Sequence, residues 1–152
     1  MTSLVVSLIY SLPLKEDPNN TNYHFIYGVL LEESGDQAGA VEAYRNAIKV
    51  DANNYNANFN LGVMLINEAT EIIKERNNLG ISDADLKKAD ELDPQIDAKL
   101  ESALPQWEKV HELDPKDETA MSTLRYIYVQ LKQNDKAEEM QNKIDAAGGG
   151  ED

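Results

Sequence analysis

Side chains able to do acid–base or metal chemistry are few and scattered in this chain of 152 residues. His24 and His111 are the two histidines, and cysteine is absent, which excludes a thiol nucleophile, a disulfide and a zinc–thiolate site. His111-Glu112 is not followed by a second histidine, so the zinc-protease motif is incomplete. We expect structural roles for both histidines, with His111 near a helix end, where a cation meets the negative end of the helix dipole.

Other catalytic and ligand-binding motifs are incomplete as well. Asp83-Ala84-Asp85 begins like a calcium loop, but the turn glycine and the later ligand of such a loop are missing. Neither a glycine-rich phosphate loop nor a nucleophile elbow occurs in the sequence. The sequence therefore predicts a protein that is not an enzyme and that holds no cofactor and no metal.

The charge of the chain restricts its partners. It carries 14 Lys and Arg against 28 Asp and Glu, a net charge of −14, which makes nucleic acid and anionic membranes poor partners. Mean hydropathy is −0.54 and no apolar run approaches the length of a membrane helix, so we expect a soluble chain without membrane insertion. Residues 83–101 hold seven acids against three lysines, which predicts a solvated face, or alternatively a surface for a basic partner or a weakly bound cation.

Small and aromatic residues recur along the chain at fixed steps. Gly28 and Gly62 lie 34 residues apart. A ladder with steps of four, three and five residues occurs twice, as Ala40, Tyr44, Ala47 and Ala52, and as Ala103, Trp107, Val110 and Pro115, and begins again at Ala137. Small residues let two helices approach closely, and an aromatic residue one turn further fills the space between pairs. The ladder therefore predicts stacked helical hairpins.

These residues and their spacing resemble the tetratricopeptide (TPR) repeat. The matches run from Asn22 to Asn54, from Leu61-Gly62 to Ala103–Pro115, and from Glu118 to Asp145. The resemblance implies an all-α, right-handed α-solenoid of about seven helices, made of three TPR pairs and an N-terminal half repeat. The implied organisation is a single domain over residues 1–147 and a disordered tail over 148–152. The domain contains a half repeat (1–20) and repeats at 21–54, 55–117 and 118–147.

The second repeat carries an insertion near residues 66–101. Gly62 and Ala103 lie 41 residues apart, where the first repeat has 12 between Gly28 and Ala40. Apolar residues continue at helical spacing on both sides of a turn at Gly80, which predicts a protruding hairpin of two ordered helices. Pro94 is expected to open a fresh helical segment. Locally the chain resembles TPR modules with extended helices from Bacteroidetes-type bacteria.

The N-terminal segment is apolar on more than one face, and its matching first helix is absent from the sequence. We therefore expect the repeat array to continue before residue 1, either in a longer protein or through a second copy of the chain. The residues predicted to self-associate, most simply as a homodimer, are Leu4, Val5, Leu8, Ile9 and Leu12.

By resemblance to the family, the first helices of stacked TPR pairs line a concave groove that binds peptides. Helical spacing from Gly28 and Gly62 places the candidate partner-binding residues on this face: Asn22, Phe25, Val29, Phe59, Asn60, Val63 and Tyr126. Only Asn60 matches the carboxylate clamp of the family's chaperone-tail binders, and every cation of that clamp is missing. We therefore expect an apolar or aromatic peptide, unless the insertion or missing repeats fill the groove.

Two functions are compatible with this reading of the sequence. The first is a non-catalytic protein–protein interaction module, a scaffold or adaptor, that binds a protein or peptide of unknown identity through the groove. The second is a purely structural, self-associating spacer module of a longer repeat protein. The compartment stays open between the cytoplasm and, if a longer parent protein carries a signal peptide, the periplasm.

Overall fold

A computed structural model of the protein describes residues 13–148, and every regular element within that range is helical. Residues 13–16 are helical and precede six longer helices. These six are α1 (Thr21–Glu33), α2 (Gln37–Val50), α3 (Tyr55–Asn77), α4 (Asp83–Leu113), α5 (Glu118–Gln130) and α6 (Asn134–Gly148). The predicted all-α class is confirmed, and consecutive helix pairs of this kind are the building unit of an α-solenoid.

The chain divides into two compact units, Met1–Met64 and Leu65–Asp152. The division falls within α3, so the first half of that helix belongs to one unit and the second half to the other. Each unit has its own set of buried side chains. Seven ladder residues belong to these sets, whereas Ala52 and Pro115 are exposed: the buried ones are Ala40, Tyr44 and Ala47 in the first unit, and Ala103, Trp107, Val110 and Ala137 in the second.

In the first unit, α1 and α2 form an antiparallel pair. The hydroxyl of Thr21, at the start of α1, donates to the carbonyl of Ala47, near the end of α2, at 3.1 Å. At the middle of the pair, a Cβ built on Gly28 would lie 2.6 Å from Cε1 of Tyr44. The Tyr44 ring therefore occupies the space that any larger residue at position 28 would need.

In the second unit, α4 returns along the second half of α3. Three ion pairs join the two helices in antiparallel order: Glu68–Lys99, Glu75–Lys88 and Arg76–Asp93. The side chains of all three pairs are partly exposed, so they contribute little to stability. The burial of Ala69, Leu92, Ile96 and Leu100 between these helices and their neighbours is the larger contribution.

Polar side chains cap the helices at their N-termini. The side-chain oxygens of Asn20, Asp36, Asn54, Ser82 and Asp117 accept hydrogen bonds from backbone N–H groups of the first turns of α1 to α5. Two turns end in the left-handed region, at Gly35 (φ 86°) after α1 and at Lys132 (φ 59°) after α5. Gly35 thus takes the conformation in which glycine commonly ends a helix, and Lys132 takes that conformation where glycine is usual.

The structure corrects one expectation about the returning helix, α4. Pro94 does not open a new segment, because α4 is a single helix from Asp83 to Leu113 that includes Pro94 and Pro105. Both prolines are exposed, so water can reach the side of the helix where backbone hydrogen bonds are lost.

At the C-terminus, Gly148 is the last residue of α6, and residues 149–152, the rest of the predicted tail, lie outside the described part of the chain. At the N-terminus, the predicted self-association residues Leu4, Val5, Leu8, Ile9 and Leu12 also lie outside it. Self-association through that segment stays a prediction.

Replacing Leu100 tests whether the extended part of α4 is buried. Leu100 has no exposed surface, so Leu100→Ala should lower the free energy of unfolding by roughly 2–4 kcal/mol. Leu86→Ala is the matched control on the same helix, because Leu86 is 54% exposed and should change stability by less than about 0.5 kcal/mol. Urea unfolding followed by circular dichroism measures both, and equal losses would contradict the observed burial.

Replacing Gly28 tests the close contact between α1 and α2. Within a helix, alanine is normally favoured over glycine by about 0.5–1 kcal/mol. Here the added methyl would meet the Tyr44 ring at 2.6 Å, so Gly28→Ala should instead destabilise the protein by about 1–3 kcal/mol. Gly148→Ala is the control, because no atom lies within 4 Å of its added Cβ. An increase in melting temperature for Gly28→Ala would show that the helices do not approach this closely.

Candidate functional site

Six of the seven predicted groove residues lie in the first unit, on α1 and on the first half of α3. Asn22 is exposed, and the other five are half-buried: Phe25, Val29, Phe59, Asn60 and Val63. Half-buried apolar side chains have a face fixed against the protein and a face available to a partner. This is the arrangement that a binding surface needs.

Tyr44 connects two of these residues through one buried side chain. The ring of Phe25 packs on the ring of Tyr44, with centroids 5.8 Å apart and planes tilted by 35°. The Tyr44 hydroxyl donates to Oε2 of Glu32 at 2.9 Å and accepts from Nδ2 of Asn60 at 3.1 Å. Burial, together with the neighbouring Glu32 carboxylate, raises the pKa of Tyr44 well above its usual value, so the hydroxyl stays protonated.

The structure therefore brings Phe25 and Asn60 together, and it does so through a residue that the sequence assigned only to packing. The ladder that contains Tyr44 shows its burial, but no sequence signal shows which side chains its hydroxyl contacts. Phe59 has a separate support. Its ring stacks on that of Tyr55, one helical turn earlier, with centroids 6.0 Å apart and planes inclined by 22°.

Tyr126, the seventh predicted residue, belongs to the second unit. It lies on α5 and is 37% exposed, and Val129, one turn later, is 48% exposed. Tyr126 lines a cavity of about 500 Å³ whose walls come from α3, α4, α5 and the turn after α5. Sequence reasoning did not predict this cavity, because its walls come from segments far apart in the chain.

The two histidines occupy structural positions. Nε2 of His24 lies 2.8 Å from the backbone carbonyl of Pro18, which closes the turn before α1. His111, near the end of α4, has Nε2 at 3.2 Å from Nζ of Lys143 on α6, so the ammonium donates to the ring. Its Nδ1 is buried without a hydrogen-bond partner in the described part of the chain. Burial and the charge of Lys143 lower the pKa of His111, while Glu139 partly opposes this shift.

Within residues 13–148, no group of three or more His, Cys, Asp or Glu side chains is arranged to hold a metal ion. No helix there combines the length and the apolar character that crossing a bilayer requires.

The comparison with known proteins identifies one repeat in the chain. Residues 28–66 match the family model described as TPR repeat. This segment begins at Gly28 and extends through α2 into α3, so the repeat predicted from the ladder is confirmed for this part of the chain. No curated protein matches the sequence.

Solved structures of YrrB and MamA are among those similar to this chain. YrrB, a TPR protein with an unusual peptide-binding site, is 17% identical over 93% of each chain, with a TM-score of 0.37. MamA 41-end from Desulfovibrio magneticus RS-1 is 19% identical over 91% of this chain and 81% of the other, with a TM-score of 0.37. A MamA RS-1 double mutant is 19% identical over 94% and 83% of the chains, with a TM-score of 0.38.

The environment of His111 predicts how stability depends on pH. The folded-state pKa of His111 is lowered from the usual 6.5, so folding favours the neutral ring. The resulting stabilisation is fully present above about pH 6.5 and is lost as the pH falls towards the folded-state pKa. A proton–nitrogen NMR titration should give His111 a pKa below 6.5. Lys143→Gln should raise that pKa, and a value at or above 6.5 in the unaltered protein would contradict the burial of the ring.

Proposed function

We propose that this protein is a non-catalytic module that binds a protein or peptide partner. The residues that we propose as partner contacts are Asn22, Phe25, Val29, Phe59, Asn60 and Val63 in the first unit and Tyr126 in the second, and we call this set of residues the groove surface. The proposal is supported by the TPR repeat at residues 28–66, because the resemblance of the chain to TPR proteins implies this kind of function.

The observation that carries the proposal is the fixed position of Phe25 and Asn60 on Tyr44. Both side chains are half-buried, and each contacts a tyrosine whose own hydroxyl is held by Glu32. Side chains that are ordered before binding lose little conformational entropy when a partner arrives. Rigid aromatic residues at the centre of an interface also contribute most of the binding energy.

The chemistry of the groove surface favours an apolar or aromatic peptide segment. Four of its members in the first unit are apolar or aromatic, two are asparagines, and none carries a charge. A peptide carboxylate would find no cation among these residues, whereas apolar side chains can contact the exposed faces of Phe25 and Phe59. The asparagine amides can donate to and accept from an extended peptide backbone.

Peptide display on the purified protein, followed by affinity measurement on the selected peptides, tests the proposal. Phe59→Ala should weaken binding by about 1–3 kcal/mol, roughly a 5- to 140-fold rise in Kd, while helical content is unchanged. Fluorescence polarisation gives the Kd, and circular dichroism checks the fold.

Tyr23→Ala is the matched control for this experiment. Tyr23 is an aromatic residue of α1 that is 39% exposed but is not a member of the groove surface. Its replacement should leave the Kd within about twofold of the starting value. If a variant with alanine at positions 25, 59 and 126 binds the selected peptides as tightly as the unaltered protein, the groove surface is not the binding site.

A further inference from the structure

The cavity beside Tyr126 has the size and the lining of a ligand site. Its volume of about 500 Å³ lies within the range of roughly 300–1,000 Å³ that is common for ligand pockets. It lies entirely in the second unit and combines apolar, aromatic, amide and charged side chains. Those that bear on its chemistry are Ile73, Arg76, Asp93, Ile96, Asp97 and Tyr126, together with Gln130 and Lys132.

Two of the four charged groups in the cavity neutralise each other. Arg76 uses Nε and Nη2 to donate to the two carboxylate oxygens of Asp93, an arrangement in which the planar fork of the guanidinium matches the carboxylate. This contact, and more weakly the charge of Lys132, lowers the pKa of Asp93. The Arg76–Asp93 pair therefore forms a wall of the cavity that carries no net charge.

Asp97 is the second carboxylate of the cavity, and the Arg76–Asp93 pair does not neutralise it. It lies one helical turn after Asp93 on α4, is exposed, and makes no ion pair with any residue in the described range 13–148. The exposed ring of Tyr126 and the amide of Gln130 line the same cavity from α5, and the buried Ile96 lines it from α4. A carboxylate, an aromatic face and an amide in one cavity are the groups that bind a guanidinium or ammonium group.

We propose that this cavity binds a basic side chain, preferentially arginine, of a partner peptide. The proposal rests on the proposed function, because Tyr126 is a member of the groove surface, and it adds a charged anchor to a set of residues that is otherwise uncharged. The arginine would place its guanidinium between the Asp97 carboxylate and the Tyr126 ring. Neighbouring apolar residues of the peptide would contact Ile73 and Val129.

The charge distribution of the second unit favours a cationic ligand over an anionic one. Residues 83–101 of α4 carry seven acids against three lysines, so the field near the cavity attracts cations. An anionic ligand would depend on Lys132, because Arg76 is already paired with Asp93, and would meet the unpaired Asp97 at close range. Lys132 is thus the one group in the cavity that opposes the proposed ligand.

Three short peptides that differ at one position serve as probes. The acetylated and amidated peptide Gly-Leu-Arg-Leu-Gly is compared with the same peptide containing citrulline, which has the shape of arginine without its charge, and with one containing glutamate. Chemical-shift titration on the isotope-labelled full chain gives both the Kd and the residues affected. We expect the arginine peptide to bind about fivefold more tightly than the citrulline peptide, with shifts at Asp97, Tyr126 and Gln130.

Two substitutions in the cavity should act in opposite directions. Asp97→Asn should weaken binding of the arginine peptide about fivefold or more, because it removes the unpaired carboxylate and keeps the shape of the side chain. Lys132→Gly should strengthen binding about twofold, because it removes the repelling charge. This variant should fold, since glycine readily adopts the φ of 59° found there. Glu101→Gln is the control for a general charge effect, because Glu101 is an exposed acid of the same helix outside the cavity, and it should change the Kd by less than about twofold.

The outcomes separate this proposal from the proposed function. Equal affinity for the arginine and citrulline peptides, or tighter binding of the glutamate peptide, would overturn the basic-ligand site. So would a weakening by Lys132→Gly or an effect of Glu101→Gln as large as that of Asp97→Asn. In each of these cases, display-selected peptides whose affinity still depends on Phe59 would leave the proposed function intact. If the arginine peptide binds as expected but no peptide depends on Phe59, the groove surface is wrong and the cavity is a separate site.

Discussion

The first unit depends on one close contact, the approach of α1 to α2 at Gly28. A residue without a side chain on α1 lets the Tyr44 ring of α2 lie directly against the backbone of the opposite helix. The position of that ring then decides where its hydroxyl lies, and with it the contacts to Glu32 and Asn60. The half-buried Phe25 packs on the same ring. The packing of α1 on α2 and the positions of Phe25 and Asn60 are consequences of the same contact.

The second unit contains a comparable buried tyrosine. The hydroxyl of Tyr128 on α5 donates to Oε1 of Glu108 on α4 at 2.9 Å, and burial with this glutamate raises the pKa of Tyr128 well above its usual range. In both units a tyrosine fills space between helices and keeps its hydroxyl satisfied by a glutamate of the neighbouring helix. A buried hydroxyl without a partner would cost about 1–3 kcal/mol, so the glutamates at these positions protect the packing. They also explain why acidic residues are tolerated beside the core.

The long helices of the second unit need lateral support along their whole length. A helix of 31 residues such as α4 contains two prolines and carries many acids, so its own propensity is a weak source of stability. Burial of Leu92, Ile96 and Leu100 on one face supplies the support, and the exposed ion pairs to α3 align the two helices. The Arg76–Asp93 pair has a second consequence, because it neutralises one carboxylate of the cavity and leaves Asp97 unpaired.

The sequence by itself determined the class of fold and most of the ladder of buried residues. These features are periodic, because the steps from Ala40 to Ala47 repeat at Ala103 to Val110. Helical spacing also predicts one face for the candidate residues of α1 and α3, and their role in binding stays a prediction.

Only the tertiary structure decided which side chains meet across helices. The contact of Tyr44 with Asn60, the pairing of Arg76 with Asp93 and the cavity around Asp97 depend on the register between helices. The register between two helices is set by the packing of their whole faces, so the spacing of residues within one helix does not predict it. The continuity of α4 through Pro94 was missed for the same reason. The local cost of a proline favours a break, whereas burial of the opposite face of the helix, visible only in the folded chain, keeps it whole.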